Sequence, residues 1–378
     1  MGINDGSNFT AALVRELLKN VNNYYGKDNW DSFRFGPYPS SRGETFIAYL
    51  NRLLARIGMK LIHHMDQDNF LSYLANMENI MEGLSSTYSH MEDHDSRSIL
   101  IDILVYRMLG FRKVKLPLSQ EGYWFKTRAF VHSLIKESRT IQISMNGWIL
   151  NCFRLNQIGF PIALFSTPDG ILITFILRQY EYQRKRPGVL AQRGDYVIDA
   201  GGGWGDTALY FAHQVDSDGK VYTFEFIPSN IKIIKQNLEL NPGLMSRIDI
   251  VPHPLWEQPG VTLFSNDNGP GSTVRETPRD MSDLRISTLS IDDFVKRNRI
   301  PKVDFIKMDI EGAELSALRG AVETLKTSKP KLAIAVYHDV NDLVQIPKFL
   351  SELNLGYRFH LNHYTIHSEE TVLFAEPS

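Results

Sequence analysis

The spacing of hydrophobic residues divides the chain into two parts. Up to about residue 110, apolar positions recur every three to four residues, which predicts helices that pack through one apolar face. From about Thr140, the apolar runs become short and rich in β-branched and aromatic residues, which is typical of strands. The segments with helical spacing are Phe9 to Leu18, Phe46 to Ile62, Phe70 to Met81 and Ser98 to Leu109.

The first strand-like runs predict a small antiparallel sheet, which we interpret as a connector or vestibule. Pro168-Asp169-Gly170 separates the last two runs and fits a hairpin turn, because proline fixes one φ and glycine permits a positive one. The runs are Thr140 to Ser144, Ile149 to Leu155, Ile162 to Phe165 and Ile171 to Ile176.

From residue 195 onward, strands alternate with helices, which predicts a mainly parallel sheet with helices on both faces. The final runs, Tyr357 to Leu361 and Thr371 to Ala375, are separated by only about nine residues, too few for a crossover helix. The last strand must therefore be antiparallel to its predecessor. We predict an α/β fold with a helical domain over residues 1–135, a β connector over 136–182 and a Rossmann-like domain with a seven-stranded sheet over 183–378.

A glycine-rich turn follows the strand from Tyr196 to Ala200. Asp206 fits the helix start that comes next, and Glu225 stands at the end of the following strand. In doubly wound folds such glycines let the backbone approach a ligand, and such an acid accepts from ribose hydroxyls. The candidate cofactor-binding residues are Asp199, Gly201, Gly203, Gly205, Asp206 and Glu225.

Two ligands fit this unit. Gly203 to Ala208 matches G-x-G-x-x-A, so an NAD(P)-dependent oxidoreductase is one interpretation. However, Asp199 and two further glycines precede that pattern, and a carboxylate there suits an ammonium group better than a pyrophosphate. S-adenosylmethionine (SAM) has an ammonium group and a ribose but no phosphate, so the pattern favours SAM.

Composition and charge argue against several partners. Lys plus Arg number 41 and Asp plus Glu number 43, and the net charge of −2 disfavours bulk nucleic acid or an anionic membrane. Cys152 is the only cysteine, so no intrachain disulfide can form. We see no secretory signal and no apolar run approaching the roughly 20 residues that span a bilayer. We therefore expect a cytoplasmic protein without stable membrane insertion, and a homo-oligomer is compatible with the sequence.

Four segments resemble the FkbM family of SAM-dependent O-methyltransferases, over about residues 170–378. They are IDAGGGWGDTALYFA, FIKMDIEGAELSALRGA, and LAIAVYHDVNDLVQIPKFL with LNHYTIHSEETVLFA; the KMDIEGAE block is the most specific. The resemblance implies a class I methyltransferase domain that methylates a hydroxyl of a sugar, glycan, glycolipid or macrolide. It does not cover residues 1–95, and a non-catalytic SAM-binding or scaffold protein is a further alternative.

Candidate catalytic residues follow from the strand order. Asp309 and His338 end the fourth and fifth strands and His363 lies at the exit of the sixth, so all three should reach one rim of the sheet. A hydroxyl nucleophile needs a base, and we predict His363 or His338, with Asp309 orienting the acceptor. Glu181 is expected to contact the methionine end of the cofactor.

Two further expectations concern the surroundings of this rim. Asp309, Glu311 and Asp339 could hold Mg²⁺, which needs only one or two carboxylates and keeps several waters. The loop Asn268-Gly269-Pro270-Gly271-Ser272 is either a surface turn or a ligand-binding loop, and the sequence favours neither interpretation.

Overall fold

The computed structural model describes residues 5–38, 78–143 and 147–378, without the side chains of residues 5–7, 33, 120 and 121. The chain divides into two compact units. One contains Met1–Trp124 and Thr365–Glu369, and the other contains Phe125–Tyr364 and Glu370–Ser378. The helix predicted over residues 46–62, and nearly all of the one predicted over 70–81, lie outside the described residues.

The first unit is helical where it is described, as its spacing predicts. The helix from His94 to Leu109 begins where the Asp93 side chain accepts from the Ser96 amide at 2.7 Å, and it ends at Gly110 with a φ of 74°. Its helices are α1 (Asp5–Asn20), α2 (Ser32–Phe35), α3 (Met81–His90) and α4 (His94–Leu109), with 3₁₀ turns at Gly26–Asn29 and Pro117–Gly122.

The second unit begins with the small antiparallel sheet, which follows α5 (Tyr123–Ser133). Its strands are β1 (Ile135–Gln142), β2 (Ile149–Arg154) and β3 (Ala163–Ser166), paired in that order.

The predicted fourth strand and its hairpin are wrong. Helix α6 (Pro168–Ile171) and a π-helical turn (Leu172–Ile176) occupy this segment. Thr167 caps α6 by accepting from the Gly170 amide at 3.1 Å, and Pro168 takes the first helical position. Proline pre-sets φ for a helix start as well as for a turn, so the same residues suited both structures.

A seven-stranded sheet forms the centre of this unit, in the order β11-β12-β10-β9-β4-β5-β6. The strand β12 is antiparallel to β10 and β11 and the other pairs are parallel, which confirms the predicted α/β architecture. The strands are β4 (Tyr196–Ala200), β5 (Lys220–Phe224), β6 (Ile248–Val251), β7 (Thr262–Ser265), β8 (Leu284–Ser287), β9 (Phe305–Met308), β10 (Lys331–Ala335), β11 (Tyr357–His363) and β12 (Thr371–Pro377).

Helices connect the parallel strands. The strands β7 and β8 lie outside the large sheet and pair with each other in a separate antiparallel ladder that the sequence pattern did not indicate. No helix in the described ranges has both the length and the apolar character needed to cross a bilayer. The connecting helices are α7 (Asp206–Val215), α8 (Pro228–Glu239), α9 (Pro242–Met245), α10 (Ile291–Arg297), α11 (Glu314–Arg319), α12 (Val322–Ser328) and α13 (Asp342–Glu352).

The small sheet and the seven-stranded sheet belong to the same compact unit. The domain boundaries at residues 135 and 182 stay a prediction. All four residues of β9 are buried, as expected for a central strand covered on both faces. The carboxyl ends of β4, β5, β9 and β10 therefore meet at one edge of a well-packed core.

Candidate functional site

The glycine turn after β4 is folded tightly against the end of β9. Gly201, Gly203 and Gly205 have φ values of 84°, 50° and 86°, a region that L-residues with a Cβ rarely adopt. A Cβ at Gly201 would overlap the backbone carbonyl oxygen of Asp309. The first glycine is therefore required by both its conformation and its close neighbour.

Asp199 lies beneath this turn and is fully buried. Its carboxylate accepts from Thr223 Oγ1 at 2.8 Å and from Thr207 Oγ1 at 3.0 Å, and it lies 3.3 Å from Lys307 Nζ. These partners satisfy the carboxylate within the protein. Direct contact between Asp199 and a cofactor ammonium stays a prediction, whereas its support of the turn is a feature of the fold.

Lys307 was missed by the sequence reasoning. Its ammonium group is buried in β9 and donates to the carbonyl oxygens of Ala200 at 2.9 Å and Gly201 at 2.6 Å. It also lies 5.2 Å from the ring centroid of Tyr180. A lysine inside the apolar strand Phe305–Met308 was the available signal. Buried charges are normally paired, so this residue implied a hidden carboxylate.

Glu225 follows β5 and is 6% exposed. One carboxylate oxygen accepts from the Ile227 amide at 2.8 Å and the other from Asn230 Nδ2 at 3.1 Å. Burial raises the pKa of Glu225 to about 7, and these hydrogen bonds oppose part of that increase. The backbone amides of Phe226 and Gly203 also donate to this carboxylate.

A cleft opens at the carboxyl ends of the strands. It brings together Gly201 and Glu225 with Asp309 and Glu311, which follow β9. His253, after β6, also lines it, with Nδ1 2.9 Å from the Ser287 carbonyl oxygen. The loop that was open to two interpretations lines the cleft through Gly269, Pro270 and Ser272.

Asp309 is held by two tyrosines, of which Tyr180 is buried and Tyr337 is partly exposed. Its Oδ2 accepts from Tyr180 Oη at 2.8 Å and its Oδ1 accepts from Tyr337 Oη at 3.0 Å. Burial, together with the charge of Asp309, raises the pKa of each tyrosine well above its usual value. Both hydroxyls therefore remain donors that fix the orientation of the Asp309 carboxylate.

His338 lies among three carboxylates. Its Nε2 is 3.6 Å from Asp309 Oδ1 and 3.5 Å from Glu311 Oε2, and its Nδ1 is 3.3 Å from Glu314 Oε1. Burial lowers the pKa of His338, but these carboxylates outweigh that effect and raise it to about 10. The ring therefore carries a proton at neutral pH.

The backbone beside His338 is strained. Glu311 has a φ of 57°, and Gly312, which follows it, has a φ of 94°. A left-handed conformation costs a residue with a Cβ about 1–2 kcal/mol. Glu314 Oε1 accepts from the Ile310 amide at 2.8 Å and so closes this turn. Strained residues of this kind concentrate at functional sites.

The remaining predicted residues do not line the cleft, within the described part of the chain. His363 is buried, with Nδ1 2.9 Å from Thr371 Oγ1 across the β11–β12 pair. Asp339 accepts from the amide and the side chain of Asn341, both at 2.8 Å. Asp206 accepts from Thr174 Oγ1 at 2.8 Å.

Glu181, the expected contact of the methionine end, is also engaged within the protein. It accepts from the Tyr210 hydroxyl and from Gln214 Nε2, the latter at 3.1 Å. The neighbouring Tyr180, rather than Glu181, makes the hydrogen bond to Asp309. A cofactor contact of Glu181 stays a prediction.

The structure groups potential metal ligands differently from the predicted set. Among the described residues, the ligand atoms of Asp309, Glu314 and His338 lie within 4.8 Å of one another. Glu311 lies beside this group through its contact with His338, whereas the Asp339 carboxylate caps a turn. A nitrogen ligand in the set suits a transition-metal ion better than Mg²⁺.

Three comparisons with known proteins bear on this geometry. The profile of the Methyltransferase FkbM domain matches residues 189–359. Hexuronic acid methyltransferase AglP of Haloferax volcanii is 25% identical over 168 residues, which are 44% of this chain and 65% of that protein, just under two thirds of its length. The crystal structure of Methyltransferase FkbM from Methylobacillus flagellatus KT superposes with a TM-score of 0.54 at 16% identity, covering 98% of this chain and 99% of that one. This structural likeness shows a shared fold.

Proposed function

We propose that the chain, whose residues 189–359 match the Methyltransferase FkbM domain, transfers the methyl group of SAM to a sugar hydroxyl. The acceptor would be a free sugar, a glycan, a glycolipid or a glycosylated natural product. The observation that carries the proposal is one cleft containing Gly201 and Glu225 as well as Asp309 and Glu311. A cofactor and an acceptor can meet there.

The proposed SAM site uses the half of the cleft formed after β4 and β5. Glu225 accepts from the ribose hydroxyls, since its carboxylate lines the cleft at the end of β5. The turn of Gly201, Gly203 and Gly205 lets the backbone approach the cofactor. Asp199 and Lys307 support that turn from below. The cofactor itself supplies the methyl group on a cationic sulfur.

The transfer is an in-line displacement in which the acceptor oxygen attacks the methyl carbon. The O–CH₃ bond forms while the S–CH₃ bond breaks, and the bonding pair moves onto sulfur. No acid is needed, so the protein contributes mainly proximity and alignment, which supply about 7–11 kcal/mol in well-oriented systems. The hydroxyl proton must leave as the bond forms.

We propose that Asp309 accepts that proton. Its carboxylate lines the cleft and is oriented by Tyr180 and Tyr337. His338, with its pKa raised to about 10, already holds a proton and is better suited to stabilise the ionised carboxylates than to act as a base. The predicted role of His363 as a base remains to be tested. Its ring is buried and is hydrogen-bonded to Thr371 on the neighbouring strand.

A divalent ion at this rim stays a hypothesis. The groups placed to hold one are Asp309, Glu314 and His338. A bound ion would act as a Lewis acid toward the acceptor oxygen. Activity that survives EDTA would exclude it.

The proposal is tested in two steps. SAM should bind and NAD should not, as measured by calorimetry with the purified protein. Glycosylated acceptors incubated with SAM should then gain the mass of one methylene unit, and Asp309→Asn should lose turnover while it keeps SAM affinity. Tighter binding of NAD would indicate a dehydrogenase. SAM binding without transfer to any acceptor would indicate a non-catalytic SAM-binding protein.

A further inference from the structure

We propose that His253 selects the cofactor by its nucleobase, because its imidazole presents a hydrogen-bond acceptor to the amino group of adenine. This inference rests on the proposed use of SAM and specifies which group of SAM is recognised. It concerns a side chain that lines the cleft but has no part in the proposed methyl transfer.

The order of the strands places the nucleobase beside His253. Neighbours in the sheet follow the order β9, β4, β5 and β6, and the carboxyl ends of these parallel strands meet at one edge. In SAM, the ribose is joined to the sulfonium on one side and to adenine on the other. A ribose at Glu225, after β5, with its sulfonium toward Asp309, after β9, leaves adenine at the end of β6. The strand β6 ends two residues before His253.

The residues around His253 suit a flat, uncharged ring. Phe226, which follows Glu225, lines the cleft together with Pro254 and Leu255, which follow His253. Ligand sites usually combine apolar walls of this kind with a few polar groups that fix the orientation of the ligand. The partly buried imidazole of His253 supplies such a group.

The hydrogen bond of the imidazole determines which of its nitrogens can accept. Nδ1 of His253 lies 2.9 Å from the backbone carbonyl oxygen of Ser287, the last residue of β8. A carbonyl oxygen only accepts, so Nδ1 carries the proton, and Nε2 of the neutral ring is left as an acceptor. The amino group of adenine is a donor, whereas hypoxanthine has a carbonyl oxygen at the same position. Nε2 therefore suits adenine and opposes hypoxanthine.

The backbone holds His253 in this position. Pro252 and Pro254 flank it, and a proline fixes its own φ and restricts the residue before it. The amide of His253 donates to the Val251 carbonyl oxygen at 2.9 Å, and the Pro254 carbonyl oxygen accepts from the Leu289 amide at 3.0 Å. The ladder of β7 and β8 therefore orients a residue of the cleft, although it lies outside the large sheet.

Ser272 also lines the cleft, but its hydroxyl is engaged within its own loop. It accepts from the Asn268 amide at 2.9 Å and donates to the Gly269 carbonyl oxygen at 2.6 Å. Of these two neutral side chains, His253 is therefore the one that can distinguish an amino group from a carbonyl group on the base.

The test measures the binding of two cofactor analogues that differ at this position of the base. S-adenosylhomocysteine carries the amino group, S-inosylhomocysteine carries the carbonyl group, and neither can donate a methyl group. Their dissociation constants are measured by calorimetry with the full chain and with two variants. His253→Phe keeps a planar ring and removes the acceptor. His213→Phe makes the same change on α7, and His213 is not among the described residues that line the cleft.

We expect the wild-type chain and His213→Phe to bind S-adenosylhomocysteine about tenfold to a hundredfold more tightly than S-inosylhomocysteine. His253→Phe should reduce that ratio toward one, mainly through weaker binding of S-adenosylhomocysteine. Equal affinities in the wild-type chain, or an unchanged ratio in His253→Phe, would overturn this inference and leave the proposed methyl transfer intact. No binding of S-adenosylhomocysteine would contradict the proposed use of SAM and this inference together.

A second measurement uses the wild-type chain and does not depend on the stability of the phenylalanine variant. With histidine labelled by ¹⁵N, at mildly alkaline pH where an imidazole is neutral, NMR should show the His253 proton on Nδ1. The signal is assigned by its loss in His253→Gln or His253→Phe, whichever folds. Addition of S-adenosylhomocysteine should then shift the Nε2 resonance more than the Nδ1 resonance. A proton on Nε2, or an Nε2 resonance that does not respond to S-adenosylhomocysteine, would overturn the proposed recognition.

Discussion

The two halves of the cleft hold their carboxylates in different ways. On the cofactor side, which we define as Asp199, the glycine turn and Glu225, each carboxylate has fixed donors from the protein. On the acceptor rim, defined as Asp309, Glu311 and His338, Asp309 also has two tyrosine donors, but it and Glu311 both lie within 3.6 Å of the same imidazole nitrogen. The two halves therefore differ in whether their carboxylates have separate donors or share one imidazole.

Burial follows the same division. The side chain of Asp199 is 0% exposed, whereas those of Asp309 and Glu311 are 16% and 30% exposed. Fixed donors around a buried carboxylate leave little freedom to adapt. We infer that the cofactor side depends more on tight packing than the acceptor rim does. Substitutions on the cofactor side should therefore affect folding and SAM affinity, and those on the rim should affect turnover and specificity.

The largest effect should come from Gly201→Ala. The added Cβ would overlap the Asp309 carbonyl oxygen, and the alanine backbone would have to adopt a φ of 84°. We expect the free energy of unfolding to fall by about 4 kcal/mol or more and SAM binding to be lost. Gly194→Ala is the matched control, because Gly194 has a φ of 82° with no atom near its Cβ position, and it should cost only about 1–2 kcal/mol. Equal losses in both variants, measured by denaturant unfolding, would assign the effect to backbone conformation alone.

Lys307→Met should have the next largest effect. It leaves Asp199 buried without its cation, and the carbonyl oxygens of Ala200 and Gly201 lose a donor. We expect a loss of about 3 kcal/mol in unfolding free energy, together with weaker SAM binding. Lys302→Met removes a lysine from an ion pair in which Lys302 is 47% exposed and should cost at most about 1 kcal/mol.

A second substitution sharpens this test. Adding Asp199→Asn to Lys307→Met removes the uncompensated charge, so the double variant should regain part of the lost stability. If the two losses simply add, the pair does not act as a unit. Asp199 and Lys307 would then not support the glycine turn jointly.

Glu225→Gln should act mainly on cofactor affinity. Hydrogen bonds to a charged acceptor contribute about 1.5–3 kcal/mol, so we expect SAM to bind about tenfold to a hundredfold more weakly. Because burial raises the pKa of Glu225 to about 7 and ribose hydroxyls favour the ionised form, wild-type affinity should increase as pH rises to about 7. The glutamine variant should lack that increase, and Glu239→Gln, an exposed change on α8, should retain it.

The raised pKa of Glu225 also affects the free energy of unfolding in the absence of SAM. An unfolded glutamate releases its proton near its ordinary pKa of 4.5, whereas the folded one retains it up to about 7. The folded state therefore binds more protons between these values, and the free energy of unfolding should decrease as pH rises from about 4.5 to 7. A steeper decrease in Glu225→Gln than in the wild-type chain would contradict the assigned pKa.

The sequence was sufficient for features set by neighbouring residues and strand order. The strand, glycine turn and helix are contiguous, so Glu225 could be placed by counting along the chain. Asp309 reaches the cleft because parallel strands end at one edge. The antiparallel direction of the last strand followed from the length of the loop before it.

Contacts between residues that are far apart in the sequence could not be located by counting along the chain or from strand order. Lys307 bonds to Ala200 and Gly201 across more than a hundred positions, and Tyr180 reaches Asp309 from outside the sheet. Hydrogen bonds of this kind impose no period on the sequence. The hairpin turn predicted at Pro168-Asp169-Gly170 was wrong for a different reason, since Pro168 fits a turn and a helix start equally well. The identity of a base at the rim depends on such distant contacts, so it could not be inferred from strand ends alone.

The smallest expected effect tests the charge of His338 on the rim. Its folded pKa of about 10 lies above the ordinary 6.5, so its ion pairs should contribute stability that is fully present below about pH 6.5 and is lost as pH rises through about 10. The difference in unfolding free energy between the wild-type chain and His338→Gln should therefore be about 1 kcal/mol near pH 6 and shrink toward pH 10, after allowance for solvent screening. A difference that does not vary with pH would mean that folding does not raise the pKa of His338. The ring could then accept a proton, and His338 rather than Asp309 would become the better candidate for the base.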